Sequence, residues 1–124
     1  MFRHFRIDEF ACRCDCGQNL IDYQFVVELD QLRHQCGFPL VITSGYRCPE
    51  HNSRVSTTGR TGPHTTGRAA DIAVERTRAY ELLQVAMVMK FTGIGIKQKG
   101  SSRFIHLDNL ANTEGQPRPT IWSY

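Results

Sequence analysis

Between residues 22 and 37 the apolar side chains Phe25, Leu29, Leu32 and Cys36 recur at three- and four-residue steps, the period of one helix face. Asp22 is placed to cap the first turn of that helix and Gly37 to end it. Ala79, Leu82, Leu83, Ala86 and either Met89 or Lys90 repeat the pattern. They predict a second core helix with Thr77 as its cap and with Met87 and Met89 filling the core. The remaining apolar runs are short. Residues 39–43, 69–74, 93–96, 104–108 and 120–122 read as strands, with 93–96 and 104–108 joined as a hairpin by a basic turn over 97–103. Pro49 starts a short helix over 50–55 with Cys48 at its boundary, and the Ser/Thr/Gly-rich stretch 56–63 is a surface loop. The predicted architecture is an α+β domain: a small, mainly antiparallel sheet flanked by helices.

Strand parity then separates chemistry from core. In 69–74, Ala70, Ile72 and Val74 share one face and Asp71 looks the other way. In 104–108, Ile105 and Leu107 share a face, with His106 and Asp108 on the opposite one. Two strands can therefore present Asp71, His106 and Asp108 to a single site. Just upstream, His64 precedes Gly67, Ala69 and Ala70, a turn glycine and two small residues that leave room beside a metal. His64 and Asp71 are seven positions apart, which is not the spacing of a helical ligand pair. Two imidazoles and one carboxylate form a ligand set for a catalytic zinc. His64, His51, Asn52 and His34 also admit a plain reading as satisfied polar side chains.

Composition narrows the setting. At 124 residues the chain is long enough for one core, so residues 1–124 read as one domain. A formal charge of +3 suits an anionic polymer, and the basic residues are scattered rather than striped, which argues against nucleic acid. No signal-peptide core follows Met1, and no run approaches membrane-spanning length. The expectation is a monomer made in the cytoplasm. There is no phosphate-binding glycine loop and no internal repeat.

Five cysteines stand out, three of them packed as Cys12, Cys14 and Cys16, with Cys36 and Cys48 further on. An odd count argues against a complete disulfide framework. Three readings stay open: reduced or partly paired thiols in an N-terminal loop, a disulfide, or a second, structural zinc on Cys12, Cys14, Cys16 and Cys48. The run lacks the two-residue spacer of a zinc knuckle, which favours the first.

Taken together, His64-x-x-Gly67-x-Ala69-x-Asp71, preceded by Ser44-Gly45-Tyr46-Arg47 and followed by His106-x-Asp108, resembles the zinc D-alanyl-D-alanine carboxypeptidase family. That family includes vancomycin-resistance dipeptidases and phage L-alanyl-D-glutamate endolysins, and it shares its fold with hedgehog domains. The resemblance implies zinc on His64, Asp71 and His106, with Arg47 binding a substrate carboxylate and Ser44 beside it. It also implies hydrolysis of an amide bond in peptidoglycan peptides, acting on the wall, in a host or phage setting. By its own chemistry, Arg47 can grip a carboxylate with two prongs or pair structurally with a local acid.

Two positions depart from the family pattern. Gly62 stands where many members have Ser two positions before the first ligand, and Arg103 stands where many have an acidic base three positions before the last histidine. With that position basic, Asp108 is the candidate general base, on the same strand face as His106; the competing role is to orient a ligand histidine. Two rival functions remain: a non-catalytic zinc-fold module, for wall binding or phage structure, and a cysteine-zinc nucleic-acid binder.

Overall fold

The computed structural model describes residues 2–124. Three helices, α1 (Tyr23–Cys36), α2 (Pro49–Val55) and α3 (Arg76–Val88), accompany five strands. These are β1 (Val41–Ser44), β2 (Ala69–Ala73), β3 (Gly93–Lys97), β4 (Phe104–Asp108) and β5 (Thr120–Ser123). They form one sheet in the order β1-β2-β4-β3-β5, antiparallel except where β5 runs parallel to β3. The α+β architecture is as expected from the sequence.

The alternation in β2 and β4 sorts the sheet into two faces. Ala70, Ile72, Ile94, Ile105 and Leu107 join Phe25, Leu29, Leu32, Leu82 and Ala86 of the helices in one core. Burial of these side chains is the main stabilising term, about 1.5–3 kcal/mol for each large one fully removed from water. α1 begins as its sequence dictates, with the Asp22 carboxylate accepting from Phe25 N at 2.9 Å. It ends at Gly37, whose φ of 78° is the left-handed conformation that glycine adopts without strain.

α3 differs from expectation at both ends. Its cap is Glu75, not Thr77, because the chain turns into the helix directly after β2, with Arg76 at φ 57°. Met87 is 53% exposed rather than core, while Met89 packs against the core. Two short 3-10 turns, Ile7–Phe10 and Pro63–Thr66, had no periodic signal. No helix among the described residues is long and apolar enough to cross a membrane.

Candidate metal centre

The site is one row of residues running across all five strands. Ser44 on β1 pairs with Asp71 on β2, Asp71 with His106 on β4, His106 with Gly95 on β3, and Gly95 with Trp122 on β5. A β-bulge between Ile42 and Ser44 brings Ser44 into this row. Because every member lies on the face opposite α1 and α3, the polar groups converge without crossing the core.

His64 reaches the row from the 3-10 turn Pro63–Thr66. Gly67 closes that turn at φ 77°, and a Cβ there would collide with the backbone carbonyl of Leu20. The same glycine's carbonyl accepts from Asp22 N at 2.7 Å. The chain therefore needs glycine at this position for both conformation and close approach.

His64 Nε2 lies 3.2 Å and His106 Nδ1 3.1 Å from Asp71 Oδ1. The outer nitrogens fix which ring atoms face inward. His64 Nδ1 is 2.7 Å from Gly45 O, and a carbonyl can only accept, so Nδ1 carries the proton. His106 Nε2 donates in the same way to Asp108 Oδ2 at 2.8 Å. Both inner nitrogens then present lone pairs toward each other and toward a carboxylate. Such an array of acceptors requires a cation, or protons, between its members. The donor set fits zinc: two imidazole nitrogens and one carboxylate oxygen within 4.8 Å of one another, each imidazole steadied by an acceptor behind it.

With protons rather than a cation between these groups, burial by itself would raise the Asp71 pKa, but its contacts with the His106 and His64 rings outweigh it and hold the carboxyl well below the ordinary range. Burial would likewise lower the His106 pKa, yet its contacts with Asp108 and Asp71 raise it. Asp108 is fully buried, and Arg118 grips it with Nε on Oδ1 at 2.9 Å and Nη2 on Oδ2 at 2.8 Å.

His64, Asp71 and His106 open into a cleft of about 660 Å³ whose other walls include Arg47, Lys97, the 56–58 loop and the rings of Phe104, Trp122 and Tyr124. Asp71 is the only Asp or Glu among the described lining residues; Asp108 and Ser44 do not line it. A larger, mostly apolar hollow of about 790 Å³ near Met87, Phe91, Ile94 and Ile121 shares none of the three donors.

Arg47 is fixed on three sides. Nε donates to Ser44 Oγ at 3.0 Å, Nη1 to Asn52 Oδ1 at 3.1 Å and Nη2 to Asp71 Oδ2 at 3.4 Å. Of the five guanidinium N–H groups, two remain for the cleft. Asn52, read from the sequence as architectural, is 1% exposed and also bonds Thr58 Oγ1 and Gly59 O, so it links Arg47 to the cleft loop. Thr58 also explains Gly62. A Cβ at Gly62 would collide with Thr58 Oγ1, so the threonine occupies the space a serine there would need.

Sequence reasoning missed Arg118 and Trp122. Trp122 leans across Gly95 to reach His106, with ring centroids 5.0 Å apart, and the Arg118 guanidinium lies 5.4 Å from the Trp122 ring. The available signal was Gly93-x-Gly95. A side chain at Gly93 would strike the Asp108 carboxylate, and one at Gly95 would come within 2.6 Å of Trp122 Nε1.

A buried two-histidine, one-carboxylate centre that opens into a cleft on an α+β sheet defines a metallopeptidase type of site. The family model for peptidase M15 matches residues 3–108, and the chain belongs to that family of zinc D-alanyl-D-alanine carboxypeptidases. No curated protein sequence matches the chain. Members of the family use zinc and act on peptidoglycan-type peptides. Arg118, Trp122 and Tyr124 lie beyond the matched region.

Proposed function

We propose that this protein hydrolyses an amide bond in bacterial peptidoglycan peptides, with zinc held by His64, Asp71 and His106. The observation that supports this most is the meeting of His64 Nε2, Asp71 Oδ1 and His106 Nδ1 at a cleft that also presents Arg47. When bound there, zinc supplies a Lewis acid that activates water and polarises the scissile carbonyl.

The chain's own residues do the rest. Arg47 offers its two unused N–H groups to a substrate carboxylate, while Ser44, Asn52 and Asp71 hold the guanidinium in place. Ser44 thus acts on substrate through Arg47. Asp108, buried between His106 and Arg118, serves as the group that turns His106 so that Nδ1 faces the donors. Its role is positioning, not proton transfer to the cleft. Phe104, Trp122 and Tyr124 give an apolar wall suited to alanyl methyls and peptide stems.

Digestion of purified cell wall and of a panel of stem peptides, with mass spectrometry of the released ends, tests the proposal. Loss of a terminal D-alanine marks a carboxypeptidase, and a new D-glutamyl amino end marks an endopeptidase. No cleavage of any substrate by the zinc-loaded protein would refute the reading. The absence of a second Asp or Glu from the cleft lining favours one other reading, a wall-binding module that keeps the zinc fold. That reading expects chelator-sensitive retention on wall without released ends.

A further inference from the structure

Cys12, Cys14, Cys16 and Cys48 bring their four sulfurs within 4.8 Å of one another, and none is in a disulfide. Cys14 Sγ lies 3.5 Å from Cys12 Sγ and 3.6 Å from Cys48 Sγ. A disulfide requires about 2.05 Å. Four sulfurs at the corners of a tetrahedron, each about 2.3 Å from a central zinc, stand about 3.8 Å apart. The observed spacing is that of ligands around one ion.

The backbone supports each sulfur separately. Cys12 Sγ accepts from Cys48 N at 3.3 Å, and Cys14 Sγ accepts from Cys16 N at 3.4 Å. Cys16 Sγ accepts from Gln18 N and Cys48 Sγ from His51 N, both at 3.4 Å. Each sulfur thus has one backbone N–H behind it, the outer contact that orients a metal-binding thiolate. The fifth cysteine, Cys36, ends α1 outside the group. The odd count therefore divides into four sulfurs that meet and one that stands apart.

We propose that Cys12, Cys14, Cys16 and Cys48 bind a second zinc as a closed tetrathiolate, a structural clamp on the turn that carries Arg47. Four protein ligands leave no position for substrate, so the site does no chemistry of its own. Its location gives it a purpose. Tyr46 N donates to Phe10 O at 2.8 Å, and Cys12 N donates to Gln18 O at 3.0 Å. Gly45 lies so close to Phe10 that a Cβ there would come within 2.7 Å of its backbone. The clamp joins residues 10–18 to residues 44–48, where Gly45 O fixes the His64 ring and Arg47 faces the cleft. Past Phe10, which packs in the main core, it adds to the little apolar burial this segment has, since Cys12, Tyr46 and Cys48 form only a small separate cluster.

Elemental analysis of the full chain, expressed with added zinc, tests the proposal through a protein carrying His64→Ala and His106→Ala together. Wild type is expected to hold two zinc ions per chain and the double variant one. The cobalt-substituted double variant should show a thiolate-to-metal charge-transfer band in the near ultraviolet. A double variant that folds but holds no zinc, or whose cobalt form lacks that band, overturns the clamp. The two sites fail distinguishably. One zinc in wild type that vanishes in the double variant removes the cysteine site, whereas one that persists removes the histidine site. Cys14→Ser should lose the cysteine-bound zinc. Should that variant not fold, alkylation of folded wild type gives an independent answer. Only Cys36 should react before chelation and the other four after it; early labelling of Cys16, the exposed member of the group, overturns the proposal.

Discussion

Asp108 Oδ2 lies 2.8 Å from His106 Nε2, and this contact turns the imidazole so that Nδ1 faces Asp71 Oδ1 at 3.1 Å. Two bonds from Arg118 hold Asp108 from behind. The order is arginine, carboxylate, histidine, metal position, with each member orienting the next.

Asp108→Asn is accordingly expected to weaken zinc binding by roughly 10–100-fold, while turnover at saturating zinc stays within a few-fold of wild type. Competition with a coloured chelator, alongside kcat measured over a zinc titration, checks both quantities. A hundredfold loss of kcat with unchanged zinc affinity would show instead that Asp108 moves protons.

Arg47→Lys keeps the charge but loses the planar fork, along with the bonds to Ser44 and Asn52 that direct it. Losing a charge-assisted contact worth about 1.5–3 kcal/mol lowers kcat/KM by about 10–100-fold on substrates with a free carboxylate. The loss should be much smaller when that carboxylate is amidated. Equal effects on both substrates would mean that Arg47 serves the fold alone.

Gly62→Ser places a side chain where Thr58 Oγ1 already sits. Overpacking of this kind costs about 1–3 kcal/mol, read as a lower urea midpoint at unchanged slope. Adding Thr58→Gly should restore most of the loss, and the coupling in that double-mutant cycle is the decisive quantity. Additive effects would separate the two positions.

Gly95→Ala should push the indole of Trp122 off His106, since the new Cβ falls 2.6 Å from Trp122 Nε1. Expected results are a shifted tryptophan emission and a stability loss of about 1–3 kcal/mol. Gly95→Ala in a Trp122→Leu background should cost much less. An equal cost in both backgrounds would place the strain in the strand backbone.

The sequence by itself carried most of the elements and the positions of the candidate donors His64, Asp71 and His106. A two-residue period in 69–74 and 104–108 is enough to put Asp71, His106 and Asp108 on the polar face, because a strand side chain has only two directions to take. Helical spacing with Asp22 and Gly37 at its ends was enough for α1, since those caps act on local backbone groups. Where the chain turns sharply, local signals failed: α3 starts at Arg76 because β2 ends beside it, and Thr77 sits two residues past the cap position at Glu75.

Tertiary structure alone decided the rest, because those features depend on residues far apart in sequence. The row from Ser44 to Trp122 exists only through strand order and register. Arg118 meets Asp108 across a sequence separation of ten, within a loop that no periodicity describes. The sequence leaves a site on Cys12, Cys14, Cys16 and Cys48 as one of three readings of the cysteines; that the four sulfurs meet is a matter of the fold, because the turn after β1 lies against the N-terminal segment.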